Sequence, residues 1–84
     1  MNPAVSNEPI NICGVLVHAS PSKLDRVKAN LLDFDGVEIH ELTNDGRLII
    51  TIDLPERHLM ADTINQIHSV EGVLSAAMVY QHSE

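Results

Sequence analysis

Aromatic residues are almost missing from this 84-residue chain: Phe34 and Tyr80 are the only two, and tryptophan is absent. A core made from it must be aliphatic, and no platform of rings exists on which nucleic-acid bases could stack. Basic residues are scarce as well. Lys and Arg number 5 against 12 Asp and Glu, giving a formal net charge of −7, so a phosphate backbone is repelled and a nucleic-acid partner is excluded. Cysteine occurs once, at Cys13; no intramolecular disulfide can form, which suits a reducing compartment. No apolar run approaches the roughly 20 residues that cross a bilayer, and "MNPAVSNEP" lacks the basic start and apolar stretch of a secretory signal. These absences predict a cytoplasmic protein with no membrane insertion, a disordered tail over 1–9 and a single domain over 10–82.

The familiar signatures of catalysis are missing too. Of five histidines (His18, His40, His58, His68 and His82), none pairs with another histidine or with cysteine at a metal-ligand spacing. Cys13 stands alone in an apolar run and reads as a buried, inert thiol. The CxxC pair of a small copper chaperone is absent. No glycine-rich phosphate loop, Ser-His-Asp set or paired catalytic carboxylate stands out. A chain this short buries only about 60–65% of its unfolded surface, which leaves little room for a deep enclosed site. The expectation is a protein that is not an enzyme and holds no cofactor or metal.

What is present is alternation and helical spacing. "INICGVLVHA" (10–19) is a near-continuous apolar run and reads as a buried strand. At "SPSK", Ser20 can cap a helix and Pro21 suits its first position; Leu24, Val27 and Leu31 then recur at helical spacing. "DGVEIHEL" (35–42) alternates apolar and polar, "TNDG" (43–46) reads as a hairpin turn, and "RLIITIDL" (47–54) is a β-branched strand. A second helix follows Pro55, with Met60, Ile64 and Ile67 on one stripe, and Gly72 stops it before a last strand. "FDGVEI" and "VEGVLS" share a pattern at an offset of 36 residues, and Leu24/Met60 and Leu31/Ile67 repeat that offset. The order β-α-β-β-α-β with this echo predicts an α+β, ferredoxin-like split β-α-β sandwich: a four-stranded antiparallel sheet with two helices on one face.

Strict alternation assigns the two sides of that sheet. Cys13, Val15, Val17, Val37, Ile39, Leu48, Ile50, Ile52, Leu74, Met78 and Tyr80 are expected beneath the helices. Ile12, Gly14, Leu16, His18, Glu38, His40, Leu42, Ile49, Thr51, Asp53, Ser75, Ala77, Val79 and Gln81 are expected on the open side. There the small Gly14, Ser75 and Ala77 leave a shallow trough floored by Ile12, Leu16, Ile49 and Val79. Glu38, Glu41 and Asp53 give it an acidic margin. An open sheet face is normally polar; an apolar one marks a contact surface. With an acidic rim it suits a basic, amphipathic peptide. The candidate binding residues are therefore Ile12, Gly14, Leu16, His18, Glu38, His40, Ile49, Thr51, Ser75, Ala77 and Val79.

"NICGVLVHASPSKL", "GVEIHELTNDGRLIITID" and "VEGVLSAAMVYQHSE" together resemble the NapD family, over about residues 11–82. That resemblance implies the ferredoxin-like fold and a cytoplasmic chaperone for the periplasmic nitrate reductase. It implies a partner, the twin-arginine signal peptide of the catalytic subunit NapA, bound on the sheet and held from export until the molybdenum cofactor is inserted. Two alternatives stand beside it. One is an ACT-like regulatory module binding a small molecule near Gly14 and Ser20; the other is a structural homodimer that pairs its exposed sheet with itself.

Overall fold

The computed structural model describes residues 11–83, so the tail expected over 1–9 lies outside the described residues. Strand β1 (Asn11–Ala19) leads through a 3-10 turn (Pro21–Lys23) into helix α1 (Leu24–Leu32). Strands β2 (Val37–Leu42) and β3 (Arg47–Asp53) follow, then helix α2 (Arg57–His68) and strand β4 (Val73–Ser83). The sheet order is β2-β3-β1-β4, antiparallel at every pair. This is the ferredoxin-like arrangement, with the first and third strands central.

The central strands behave as period-2 patterning dictates. Cys13, Val15 and Val17 on β1 and Leu48, Ile50 and Ile52 on β3 are fully buried. They meet Val27 and Leu31 of α1 and Met60 and Ile67 of α2 in one aliphatic cluster, so both helices cover the same face. Leu24, Phe34, Ile39 and Ile64 close its margins. The half-chain echo has a backbone cause. Gly36 and Gly72, one offset apart, sit in the turns that enter β2 and β4 with φ of 77° and 97°, a left-handed conformation that side chains disfavour.

Two boundary expectations need correction. Ser20 makes no side-chain cap; its hydroxyl lies 3.2 Å from that of Ser22, and Pro21 opens a 3-10 turn that delays the α-helix to Leu24. Helix α2 ends at His68, four residues before Gly72. Asn11 is the one buried polar residue among those described. Its Nδ2 donates to the Pro55 carbonyl at 3.0 Å, and its own carbonyl accepts from Leu54 N–H at 3.2 Å, tying the start of β1 to the entrance of α2.

Cys13 is 1% exposed, and burial pushes its thiol up from the ordinary value. Its thiolate is therefore scarce at neutral pH and shielded from reagents. The native protein is expected to react with a disulfide reagent at least about 100-fold more slowly than the urea-unfolded chain, because a low thiolate fraction and burial act together. A stopped-flow comparison checks this; equal rates would place the thiol at the surface.

Candidate functional site

The side of the sheet away from the helices is laid out by the strand registers. One row runs Glu38–Thr51–Gly14–Tyr80 and the next Glu41–Ile49–Leu16–Ala77, each read from β2 to β4. Beyond the second row, His18 stands between Arg47 and Ser75; beyond the first, Ile12 pairs with Asp53. Ile12 and Leu16 are half-buried and Ile49 is 41% exposed, with no helix above them. The structure thus brings Ile12, Gly14, Leu16, His18, Glu38, His40, Ile49, Thr51, Ser75 and Ala77 to one face.

The edge strands depart from strict alternation, and each departure is a bulge. On β4 the pairing jumps from Gly14↔Tyr80 to Val15↔Met78, leaving Val79 without an opposite number on β1. The extra residue reverses every side chain beyond it. Tyr80, expected beneath the helices, is on the open face and 52% exposed; a methyl built on Gly14 would overlap its ring carbons Cε1 and Cδ1. Gln81, expected on the open side, is opposite Cys13 and lines a groove of about 290 Å3 between α2 and β4 with Met60 and Met78. Val79, expected in the trough floor, is instead the bulged residue and 57% exposed. A second irregularity between His18 and Ala19 skips Leu74, which is 70% exposed instead of buried. On β2 the pairing jumps from Ile39↔Ile50 to Glu41↔Ile49 past His40. Leu42 is carried opposite Leu48, on the helix side and not the open one, and Glu41 is brought beside Ile49.

Tyr80 is the residue that alternation missed. Its signal was Gly14, since a glycine inside a central strand marks close approach by a neighbour. The ring forms one wall of a hollow of about 550 Å3, with Ile12, Glu38, His40, Thr51 and Asp53 around it. A second hollow of about 370 Å3 is lined by Leu16, Ile49, Glu41, Thr43 and Arg47.

The charges divide between the two faces. Lys23, Arg26 and Lys28 belong to the turn and helix before β2, where Lys23 Nζ lies 3.0 Å from Glu71 Oε2 and Arg26 Nη1 3.7 Å from Glu71 Oε1. The Lys23 ammonium holds the Glu71 carboxyl below its usual range, assisted by Arg26. Arg57 opens α2. Arg47 alone among the basic residues lies on the sheet, and its guanidinium is engaged by Asp45 at 2.9 Å. Hydrogen bonds from Thr43 and Arg47 lower the Asp45 carboxyl in turn. Glu38, Glu41 and Asp53 are left without a Lys or Arg partner among the described residues; His40 Nε2 is 3.8 Å from Glu38 Oε1 and 2.7 Å from Thr51 Oγ1. No group of three or more His, Cys, Asp or Glu able to hold a metal occurs among the described residues.

A ferredoxin-like sandwich that leaves one sheet face bare, apolar in the middle and acidic at the edge, belongs to the class of binding modules. Residues 10–84 match the family described as NapD protein, and the chain belongs to that family. It is 27% identical to the chaperone NapD of Escherichia coli strain K12 over 74 residues, covering 87% of this chain and 85% of that one. It is 23% identical to the chaperone NapD of Haemophilus influenzae over 75 residues, covering 88% and 81%. The solution structure of the E. coli Tat proofreading chaperone NapD superposes with a TM-score of 0.80 at 26% identity, over 89% of this chain and 80% of that one. The protein is accordingly a chaperone and not an enzyme.

Proposed function

We propose that this chaperone acts in the cytoplasm on the twin-arginine signal peptide of the periplasmic nitrate reductase precursor NapA, holding it from export until cofactor insertion is complete. The observation that carries this reading is the open sheet face, where an apolar floor of Ile12, Leu16 and Ile49 is bordered by the carboxylates of Glu38, Glu41 and Asp53, which have no Lys or Arg partner among the described residues. A twin-arginine signal has matching parts, a basic leading segment and an apolar stretch. Burying about 400 Å2 of apolar area contributes about 10 kcal/mol, against several kcal/mol for ordering a flexible peptide and further losses of rigid-body freedom. The balance gives a reversible complex, which is what a temporary hold on an exported precursor requires.

Isothermal titration with a synthetic twin-arginine peptide, joined to amide chemical-shift mapping, tests the reading. Shifts are expected at Ile12, Leu16, Ile49, Thr51 and Ala77. Shifts confined to α1 and α2, or no heat, would overturn it. Sedimentation in the same samples addresses self-pairing through β4, an edge strand that carries no Lys, Arg, Asp or Glu over Val73–Ser83; a stable dimer that excludes the peptide would favour that alternative.

The margin makes a separate prediction. Glu38→Lys is expected to weaken the peptide about tenfold at 20 mM salt and under threefold at 500 mM, because rim charges are screened. Equal losses at both salts would remove Glu38 from an electrostatic role.

A further inference from the structure

The hollow beside Tyr80 asks for a more particular ligand group than the rest of the trough. Glu38 on the edge strand and Asp53 at the end of β3 both line it, and no lysine or arginine does. His40 lines it too, with its Nε2 2.7 Å from Thr51 Oγ1 and 3.8 Å from Glu38 Oε1, which leaves the second Glu38 oxygen and both Asp53 oxygens to a cation. The wall opposite β2 is the Tyr80 ring, lodged over Gly14 where no side chain competes for the space. Ile12 supplies an apolar flank. Carboxylates with an aromatic face beside them select a cation, and a flat delocalised one satisfies both features better than a compact ammonium. A guanidinium stacks on a ring while its fork of N–H donors engages carboxylate oxygens. An alkyl stem behind it lies against Ile12.

We propose that this hollow is a guanidinium subsite that takes one arginine side chain, stacked on Tyr80 and engaged by Glu38 and Asp53. The assignment rests on the peptide-binding reading for its biological ligand, though its chemistry does not. It adds Tyr80 to the binding face as the residue that distinguishes arginine from lysine. It also orients the partner, since the neighbouring row is the apolar Ile49–Leu16–Ala77. The arginine is placed at the Glu38–Tyr80 row and the apolar segment runs from there across Leu16.

The chain contains one tyrosine and no tryptophan, so tyrosine fluorescence reports on this hollow alone. Acetyl-Arg-Arg-amide and acetyl-Lys-Lys-amide are titrated into the intact protein, following that emission and the backbone amide shifts. Saturable changes are expected at Gly14, Gly36, Glu38, Thr51 and Tyr80, with the lysine compound at least about threefold weaker. Tyr80→Leu and Asp53→Asn should each weaken the arginine compound about three- to tenfold, while Tyr80→Phe, which keeps the ring, stays close to the parent. Shifts equally strong around Glu56 and Asp62, equal affinity for the lysine compound, or an undiminished Tyr80→Leu would overturn the subsite. A signal peptide that binds the trough while the arginine compound ignores the hollow removes the subsite and leaves the proposed function. The reverse result removes the function and leaves the subsite.

Discussion

Ala77→Arg is expected to raise the Kd for a twin-arginine peptide at least about 100-fold, a loss of about 2.7 kcal/mol, while the thermal midpoint moves by only a few degrees. Ala77 is exposed on β4, and its cross-strand partner on the open face is Leu16, with Ile49 next in the same row. An arginine there has solvent above it and displaces no core atom, so the fold meets it as an ordinary surface substitution of about 0.5 kcal/mol or less. A docked peptide meets it differently. The apolar segment would have to cover a charge, which costs several kcal/mol when unpaired. The basic segment would face a like charge in a row whose one charged member is otherwise the Glu41 carboxylate. Calorimetry and thermal unfolding on the same preparation decide the matter: unchanged affinity would move the site off this face, and a collapsed midpoint would show Ala77 to be part of the packing.

Much of this architecture is legible before any coordinates, and most of the illegible part has one physical origin. Alternation assigns a side correctly only while a strand pairs without interruption. On the central strands it does, so Val15 and Val17, Leu48 and Ile50 are buried as their spacing requires, and Leu16 and Ile49 are left on the bare side. Edge strands have a neighbour on one side only and tolerate an extra residue. Such residues occur at His40 on β2 and at Val79 on β4. Past Val79 the sides exchange, so Tyr80 joins the trough and Gln81 leaves it. Nothing in "AAMVYQ" marks where the count slips. The helix boundaries moved for a smaller reason: Pro21 is compatible with a 3-10 turn as well as with an α-helix, and the turn before β4, not the helix end, is what needs Gly72.

Two adjacent isoleucines separate stability from binding. Ile49 and Ile50 are neighbours on β3, yet Ile50 is 0% exposed beneath the helices and Ile49 is 41% exposed on the open face. Ile50→Ala removes atoms from an aliphatic cluster whose one aromatic neighbour, Phe34, lies at its margin, and is expected to cost about 2–5 kcal/mol through lost burial and a residual cavity. For a domain of this size each kcal/mol lowers the midpoint by about 4–8 °C, and the whole stability is of the order of 4–13 kcal/mol. The variant should therefore melt at least about 10 °C early, yet bind signal peptide with nearly parental affinity at temperatures where it stays folded. Ile49→Ala should do the opposite. Its exposed side chain contributes about 1 kcal/mol or less to folding, but its place between Glu41 and Leu16 puts it in the floor of the proposed docking face. Its loss is expected to weaken binding about five- to thirtyfold, the equivalent of one to two buried methylene contacts and a vacated contact area. Denaturant unfolding and calorimetry on both variants give four numbers. If Ile49→Ala lost stability and kept affinity, the apolar patch would belong to the fold and the docking surface would have to be sought elsewhere. If both properties fell together in either variant, the two sides of β3 would not act independently, and the assignment of one side to packing and the other to a partner would fail.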